Sequence, residues 1–365
     1  MYKYIKEGLT LINKLSTLNK LLNILIPLIS GYVEIETFKV YLLGLILQER
    51  WFSTHGISKR NETKSMWQVY DFLDNGINWQ NIYYALAKYV FESLIENNWY
   101  LVVDGSPLKQ QYAENRITRK GLINVKDEKN IPHNELVCLS LTNGIVYIPL
   151  DFRIWTSKKI TNKREYKTKP EIFLTILHQY LIRRIPVRTI VFDNGFASMK
   201  ALKWLNQNGF IWITRIKSNK KIKISEKHCK LKDLKLEIDQ SVVLEMTGVS
   251  GEVKIIRTCH QDEVVYIATN KTDIGDTKLK AMYKSRWSCE VFHREAKQHL
   301  GLENIRMRSW QKLQNHVGFV CLSYALLSIL RQQWGGSIGH AKHIIHNEVY
   351  QIHDAYERLL QKLAC

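Results

Sequence analysis

The run NWYLVVDG, from Asn98 to Gly105, most constrains how this chain folds. It is apolar at Leu101, Val102 and Val103 and is broken by Gly105-Ser106-Pro107, which reads as a strand ending on an acid, Asp104. Everything before it is helical in pattern. Apolar residues recur at three- and four-residue spacing through Leu9–Ile26, Phe38–Leu47, Trp67–Leu73 and Trp79–Leu94, with breaks at Pro27, at Gly31 and around Gly56–Glu62. Residues 1–95 are therefore expected to form a small helical domain.

After Gly105 come a basic loop, Asn115–Lys120, and two β-like runs, Glu135–Thr142 and Ile145–Ile154. Asn143-Gly144 between them is a strong hairpin turn. A lysine-rich loop, Thr156–Pro170, leads into helical periodicity over 171–184. An apolar strand, Val187–Phe192, then ends on Asp193-Asn194-Gly195. A helix over about Ser198–Asn206 and a strand at Ile211–Ile216 follow. Residues 218–270 break this alternation with short strands and Lys-rich turns, which predicts a β insertion. The order of elements is that of an α/β fold with an RNase H-like mixed sheet. In that arrangement Asp104 and Asp193 lie on neighbouring central strands.

KAMYKSRWSCEVFHREAKQHLGL, from Lys280 to Leu302, predicts one long helix: it has no Pro and one late Gly. At about 100° per residue, Tyr283, Arg286, Glu290 and Lys297 share an arc of roughly 60°. Taken alone, such a face reads equally as a ligand-binding surface or as a solvated one on which Arg286 and Glu290 make an i,i+4 pair. Either Asp alone is an ordinary turn former. The conjunction is more informative. Three carboxylates gathered without cations repel one another, whereas two divalent ions about 3.5–4 Å apart remove the repulsion and serve in-line phosphoryl transfer. Oxygen-only ligands favour Mg²⁺, with Mn²⁺ able to substitute. An apolar helix at Gln314–Arg331 follows, and a helical tail is expected over 336–365.

Charge sets the partner class. Lys+Arg number 53 against 34 Asp+Glu, a formal +19 with a pI near 9.5, which points to a polyanion, double-stranded DNA first. Basic loops carrying Arg119, Lys120, Lys158 and Lys159 are candidate phosphate contacts, as is Arg294 on the long helix. A membrane is not expected. The apolar run Leu21–Ser30 contains Asn and Pro and falls short of the roughly 20 residues a span needs, and no secretory signal is apparent. Six scattered cysteines without a Cys-x-x-Cys suit a reducing, cytoplasmic setting. His340, His343 and His346 read as a helix-surface stripe, and His228-Cys229 and Cys259-His260 fit no common zinc spacing.

The helix matches Tyr-x-x-Arg-x-x-x-Glu-x-x-x-x-x-x-Lys at Tyr283, Arg286, Glu290 and Lys297. VVDGSPLK around Asp104 and VFDNGF around Asp193 resemble the two strands that precede such a helix. In these features the chain resembles the DDE transposases of bacterial insertion sequences, over about residues 98–335. The resemblance implies a catalytic domain over 96–335, with the insertion at about 218–270, in which Asp104, Asp193 and Glu290 bind two Mg²⁺. It also implies cleavage at the element's terminal inverted repeats and 3′-hydroxyl strand transfer into target DNA, by a homodimer in the synaptic complex, associated with the nucleoid. Tyr283, Arg286 and Lys297 are then expected on DNA phosphates, and the helical residues 1–95 on the ends. Many relatives keep a Trp in the insertion that stacks on a flipped base. Residues 218–270 have none, so Trp212, Tyr266 or Trp287 is the expected substitute. The rival readings are an RNase H-like nuclease or resolvase without strand transfer, and a domesticated DNA-binding protein.

Overall fold

A computed structural model describes residues 18–29, 34–48, 52–60, 64–93, 98–109, 122–125, 128–155, 166–224, 227–260, 263–304, 307 and 309–347. Three central strands run parallel: β1 (Tyr100–Lys109), β5 (Thr189–Phe192) and β6 (Ile211–Ile216). Leu101, Val102 and Val103 of β1, and Ile190, Val191 and Phe192 of β5, are fully buried, the signature of strands covered on both faces. On the other side of β1 lies antiparallel β3 (Glu128–Thr142), paired in turn with β4 (Tyr147–Trp155) and with the short β2 (Leu122–Val125). The order β4-β3-β1-β5-β6 is that of an RNase H-like core.

Local chemistry sets the connections. The β3–β4 turn uses Gly144 at φ +94°, and the Asn143 side chain accepts the N–H groups of Ile145 and Val146 at 3.0 and 2.8 Å. Helix α6 (Lys169–Ile182) begins with a capping box of Thr168 and Glu171 and a Pro in its first turn, and α7 (Met199–Gln207) is capped by Ser198. These two helices make the crossovers that keep β5 and β6 parallel to β1.

The insertion does not stand apart from the core. Its strands β7 (Lys221–Ile224), β8 (Lys227–Lys230), β9 (Ser241–Met246), β10 (Glu252–His260) and β11 (Glu263–Thr269) continue the same sheet, because β11 pairs antiparallel with β6. The sheet thereby reaches eleven strands among the described residues.

The N-terminal helices share their core with the rest of the described fold. They are α1 (Leu18–Ile29), α2 (Ile35–Leu47), α3 (Thr54–Arg60), α4 (Met66–Phe72) and α5 (Trp79–Ser93). Together with α10 (Trp310–Trp334), they bury their apolar faces in one core continuous with the sheet. Phe319 of α10 lies within 4.8 Å, centroid to centroid, of Phe38, Tyr41 and Trp79. Buried polar groups of α10 are answered from the same helices. Tyr41 Oη pairs with His316 Nδ1 at 2.8 Å, Trp79 Nε1 donates to Asn315 at 2.9 Å, and Tyr83 donates to the Gly318 carbonyl at 2.8 Å. The expected apolar helix at Gln314–Arg331 is α10, which is long and apolar enough to cross a membrane. Its most apolar window is 94% buried inside the fold, so it serves as the central core helix.

The expected single helix over 280–302 is two helices, α8 (Asp276–Lys284) and α9 (Trp287–His299). At the junction the bonding tightens to i→i−3: Ser285 N–H to Met282, Arg286 N–H to Tyr283 and Cys289 N–H to Arg286. The hydroxyls of Ser285 and Ser288 take the Met282 and Ser285 carbonyls, competing with the regular ladder. The tail helix α11 (338–347) then packs back onto the body: Lys342 donates to the carbonyls of Leu45, Gln48 and His299.

Candidate active site

Parallel register brings the first two acids together. Val103 stands opposite Phe192, so the next residues, Asp104 and Asp193, emerge at the same level of adjacent strands. Asp104 does not end its strand as expected. The strand continues through Gly105-Ser106-Pro107 to Lys109, because β3 supplies an antiparallel partner along its whole length, Asp104 facing Cys138. Asp193 does follow the last residue of β5, and opens a 3₁₀ turn at Asn194–Phe196.

Helix α9 delivers the third acid. Arg286, at the α8–α9 junction, donates through one nitrogen to Asp104 Oδ2 at 2.9 Å and through the other to Glu290 Oε1. Asp104 Oδ1 meanwhile accepts the Gly105 N–H at 2.8 Å. Tyr283 sits beneath the guanidinium, 5.9 Å from its ring centroid. Both Tyr283 Oη and Arg286 Nε are buried without a hydrogen-bond partner. Lys297, two turns beyond Glu290, reaches the Pro107 carbonyl at 2.8 Å and Glu303 at 2.9 Å.

The electrostatics follow from burial and crowding of like charge. Burial pushes the Asp104 carboxyl up to about 6; Arg286 pulls it down, while Asp193 and Glu290 push it further up. Burial likewise raises Tyr283 to about 12. Burial works against the charge on Arg286, but Tyr283, Asp104, Glu290 and Asp193 together hold its pKa above the usual value. With its folded value raised, Asp104 favours the protonated fold, so stability is lost as pH rises from about 4 through about 6. The metal-free Asp104→Asn variant should be more stable than wild type by about 1–3 kcal/mol at pH 7.5, with the gap closing below pH ~4. Chemical denaturation at both pH values measures this, and a less stable variant at pH 7.5 refutes it.

Not every sequence-predicted contact is brought to the site. Trp212 is fully buried in β6, its indole N–H donating to Asn206 at 2.7 Å, so no face is free to stack on a base. The expectation failed because β6 is central in the extended sheet, covered on both faces. Tyr266 is buried as well, whereas Trp287, next to Arg286, is 43% exposed. Arg294 is exposed on α9. Arg119, Lys120, Lys158 and Lys159 lie outside the described residues. Sequence reasoning missed Glu303 and Glu135. Glu303 lies beyond the motif and is tied to Lys297, and Glu135 faces Pro107 across the β1–β3 pair and holds Lys169 at 2.5 Å. Only strand pairing and a chain turn after α9 bring these acids near, and neither leaves a local signal.

Among the described residues, no three acid, His or Cys side chains stand at spacing ready for a metal ion. The donor chemistry nevertheless fits one. Asp104, Asp193 and Glu290 are oxygen-only donors, and they crowd three negative charges around a single guanidinium. That fit requires Arg286 to give up Asp104 and Glu290.

An RNase H-like sheet carrying two aligned acids, with a third on a following helix, defines a class of phosphodiester-processing enzymes. The family comparisons give its identity. Residues 34–230 match the family described as DDE superfamily endonuclease, and residues 156–326 match the transposase DDE domain. The chain belongs to the DDE superfamily, a family of transposase and nuclease enzymes. Asp104 falls in the first match, Glu290 in the second and Asp193 in both. No curated protein matches the chain. Among solved structures, endonuclease V from Bacillus subtilis is similar over 71% of this chain and 96% of that one, at 10% identity and a TM-score of 0.26, a likeness too slight to carry an argument.

Proposed function

We propose that this protein is an insertion-sequence transposase that cleaves DNA at the ends of its element and joins the freed 3′-hydroxyl to target DNA. The observation that carries the reading is the level placement of Asp104 and Asp193 on parallel neighbours, with Glu290 linked to Asp104 through Arg286. Asp104, Asp193 and Glu290 are the residues to hold two Mg²⁺ or Mn²⁺ ions. When bound, these supply activation of the attacking oxygen and stabilisation of the leaving one.

The chain's own side chains do the rest. Arg286 presents a planar fork suited to two phosphate oxygens, and Tyr283 an unspent hydroxyl beside it. Lys297 adds a point charge two turns along α9. Residues 1–95 recognise the terminal inverted repeats, residues 96–335 cut and join, and residues 336–365 form the tail. Because α2 and α5 share a core with α10, a duplex held by the N-terminal helices keeps a fixed relation to the acids. The formal charge of +19 suits the two duplexes that a dimeric synaptic complex gathers in the cytoplasm, at the nucleoid.

A strand-transfer assay tests this reading. The substrate is a pre-cleaved duplex taken from the DNA flanking the coding region, incubated with Mg²⁺ and a supercoiled target. Joined product is expected; cutting without joining indicates a nuclease or resolvase, and binding alone a domesticated DNA-binding protein. Lys297→Ala should lower the slope of log affinity against log salt by about one unit, and an unchanged slope removes Lys297 from the phosphate contacts.

A further inference from the structure

Arg286 is committed in a way that conflicts with its neighbours' proposed work. Two of its nitrogens are spent on Asp104 Oδ2 and Glu290 Oε1, oxygens that the ions also require. Its side chain is only 12% exposed, so the pair of contacts is held inside the site. One guanidinium charge faces three carboxylates, which leaves the cluster short of positive charge. At the same time Arg286 Nε and Tyr283 Oη are buried with no partner, a costly arrangement unless another ligand completes it. Lys297 repeats the pattern, its ammonium held internally by Glu303 and the Pro107 carbonyl.

We propose that Arg286 stands in for divalent ions in the free protein, and that a DNA phosphate must draw its guanidinium away before Asp104 and Glu290 accept metal. This rests on the reading that these acids hold the ions. The phosphate offers the fork what the carboxylates offered, two oxygens in one plane, and it brings acceptor oxygens for Arg286 Nε and Tyr283 Oη. Displacement of the guanidinium then exposes a cluster with no counter-ion, and the ions fill it. DNA and divalent metal therefore bind with positive coupling, each raising the affinity of the other by the same factor. Free protein holds ions weakly, so the reactive centre is assembled only on bound DNA.

The test reads Mn²⁺ binding by electron paramagnetic resonance on the full, DNA-free chain, with thermal unfolding alongside. Arg286→Gln should tighten Mn²⁺ binding about tenfold or more, and Mn²⁺ should raise its unfolding midpoint more than that of wild type. Adding a short DNA duplex should tighten Mn²⁺ binding to wild type but give Arg286→Gln no further gain. Arg286→Lys keeps the charge without the fork and should show an intermediate gain, which serves as the deciding measurement should Arg286→Gln not fold. Unchanged or weaker Mn²⁺ binding by the variant that folds overturns the proposal. Asp104→Asn separates this failure from that of the underlying reading. If it abolishes Mn²⁺ binding while the Arg286 variants do not tighten it, the exchange is wrong and the acids still hold the ions. If Mn²⁺ binding survives Asp104→Asn, the assignment of the acids has failed and the exchange falls with it.

Discussion

Glu290→Gln should abolish DNA cleavage, by roughly a thousandfold or more, while leaving DNA affinity within a few-fold of wild type. The amide keeps an oxygen able to accept from Arg286, so the contact between the α8–α9 junction and the helix persists. It loses the negative charge that an oxygen-ligated divalent ion needs. Glu290 lies at the site's mouth, its side chain 35% exposed, so the substitution leaves the core undisturbed. Cleavage and filter-binding assays in Mg²⁺ separate the two effects. Cutting at the wild-type rate would mean that another residue is the third acid.

The second large effect lies far from the acids. Gly318→Ala should destabilise the protein by about 3 kcal/mol and lower the melting temperature by roughly 4 °C. A Cβ at position 318 would fall 2.1 Å from the Trp79 indole, with two further ring atoms within 2.6 Å. Trp79 cannot retreat easily: its N–H is held by Asn315 and its ring lies between Tyr83 and Phe319. Relief would have to come from moving α5 off α10, which also strains the Tyr83 bond to the Gly318 carbonyl. Differential scanning calorimetry measures the shift, and a melting temperature equal to wild type would show that α5 is not seated as described.

This second prediction also marks where sequence reading stopped. The apolar spacing of α2 and α5 announced helices, yet their partner is a helix more than 200 residues later. Gly318 gives no local sign that it exists to admit Trp79. The split between α8 and α9 was missed for a related reason. Tyr283, Arg286, Glu290 and Lys297 fall on one arc whether the helix is continuous or tightened, and the serine hydroxyls that tighten it are neutral in any propensity count. Trp212 was misjudged because an aromatic on a strand looks the same whether its face of the sheet is open or, as here, is covered by α7, whose Asn206 takes the indole N–H.

Locally encoded features were legible. Alternation and apolar runs gave β1, β5 and β6, Asn143-Gly144 gave the hairpin, and a seven-residue spacing put Glu290 and Lys297 on one helix face. All of these depend on residues a few positions apart, where backbone sterics and side-chain periodicity act directly on neighbours. The sequence by itself thus determined most of the elements and their order, and singled out Asp104, Asp193 and Glu290 as candidate acids. Only the tertiary structure decided that Asp104 and Asp193 stand level, that the insertion extends the core sheet, and that Arg286 occupies the carboxylates. Those facts depend on hydrogen-bond register and charge pairing between segments far apart in the chain, which no local pattern of side chains carries.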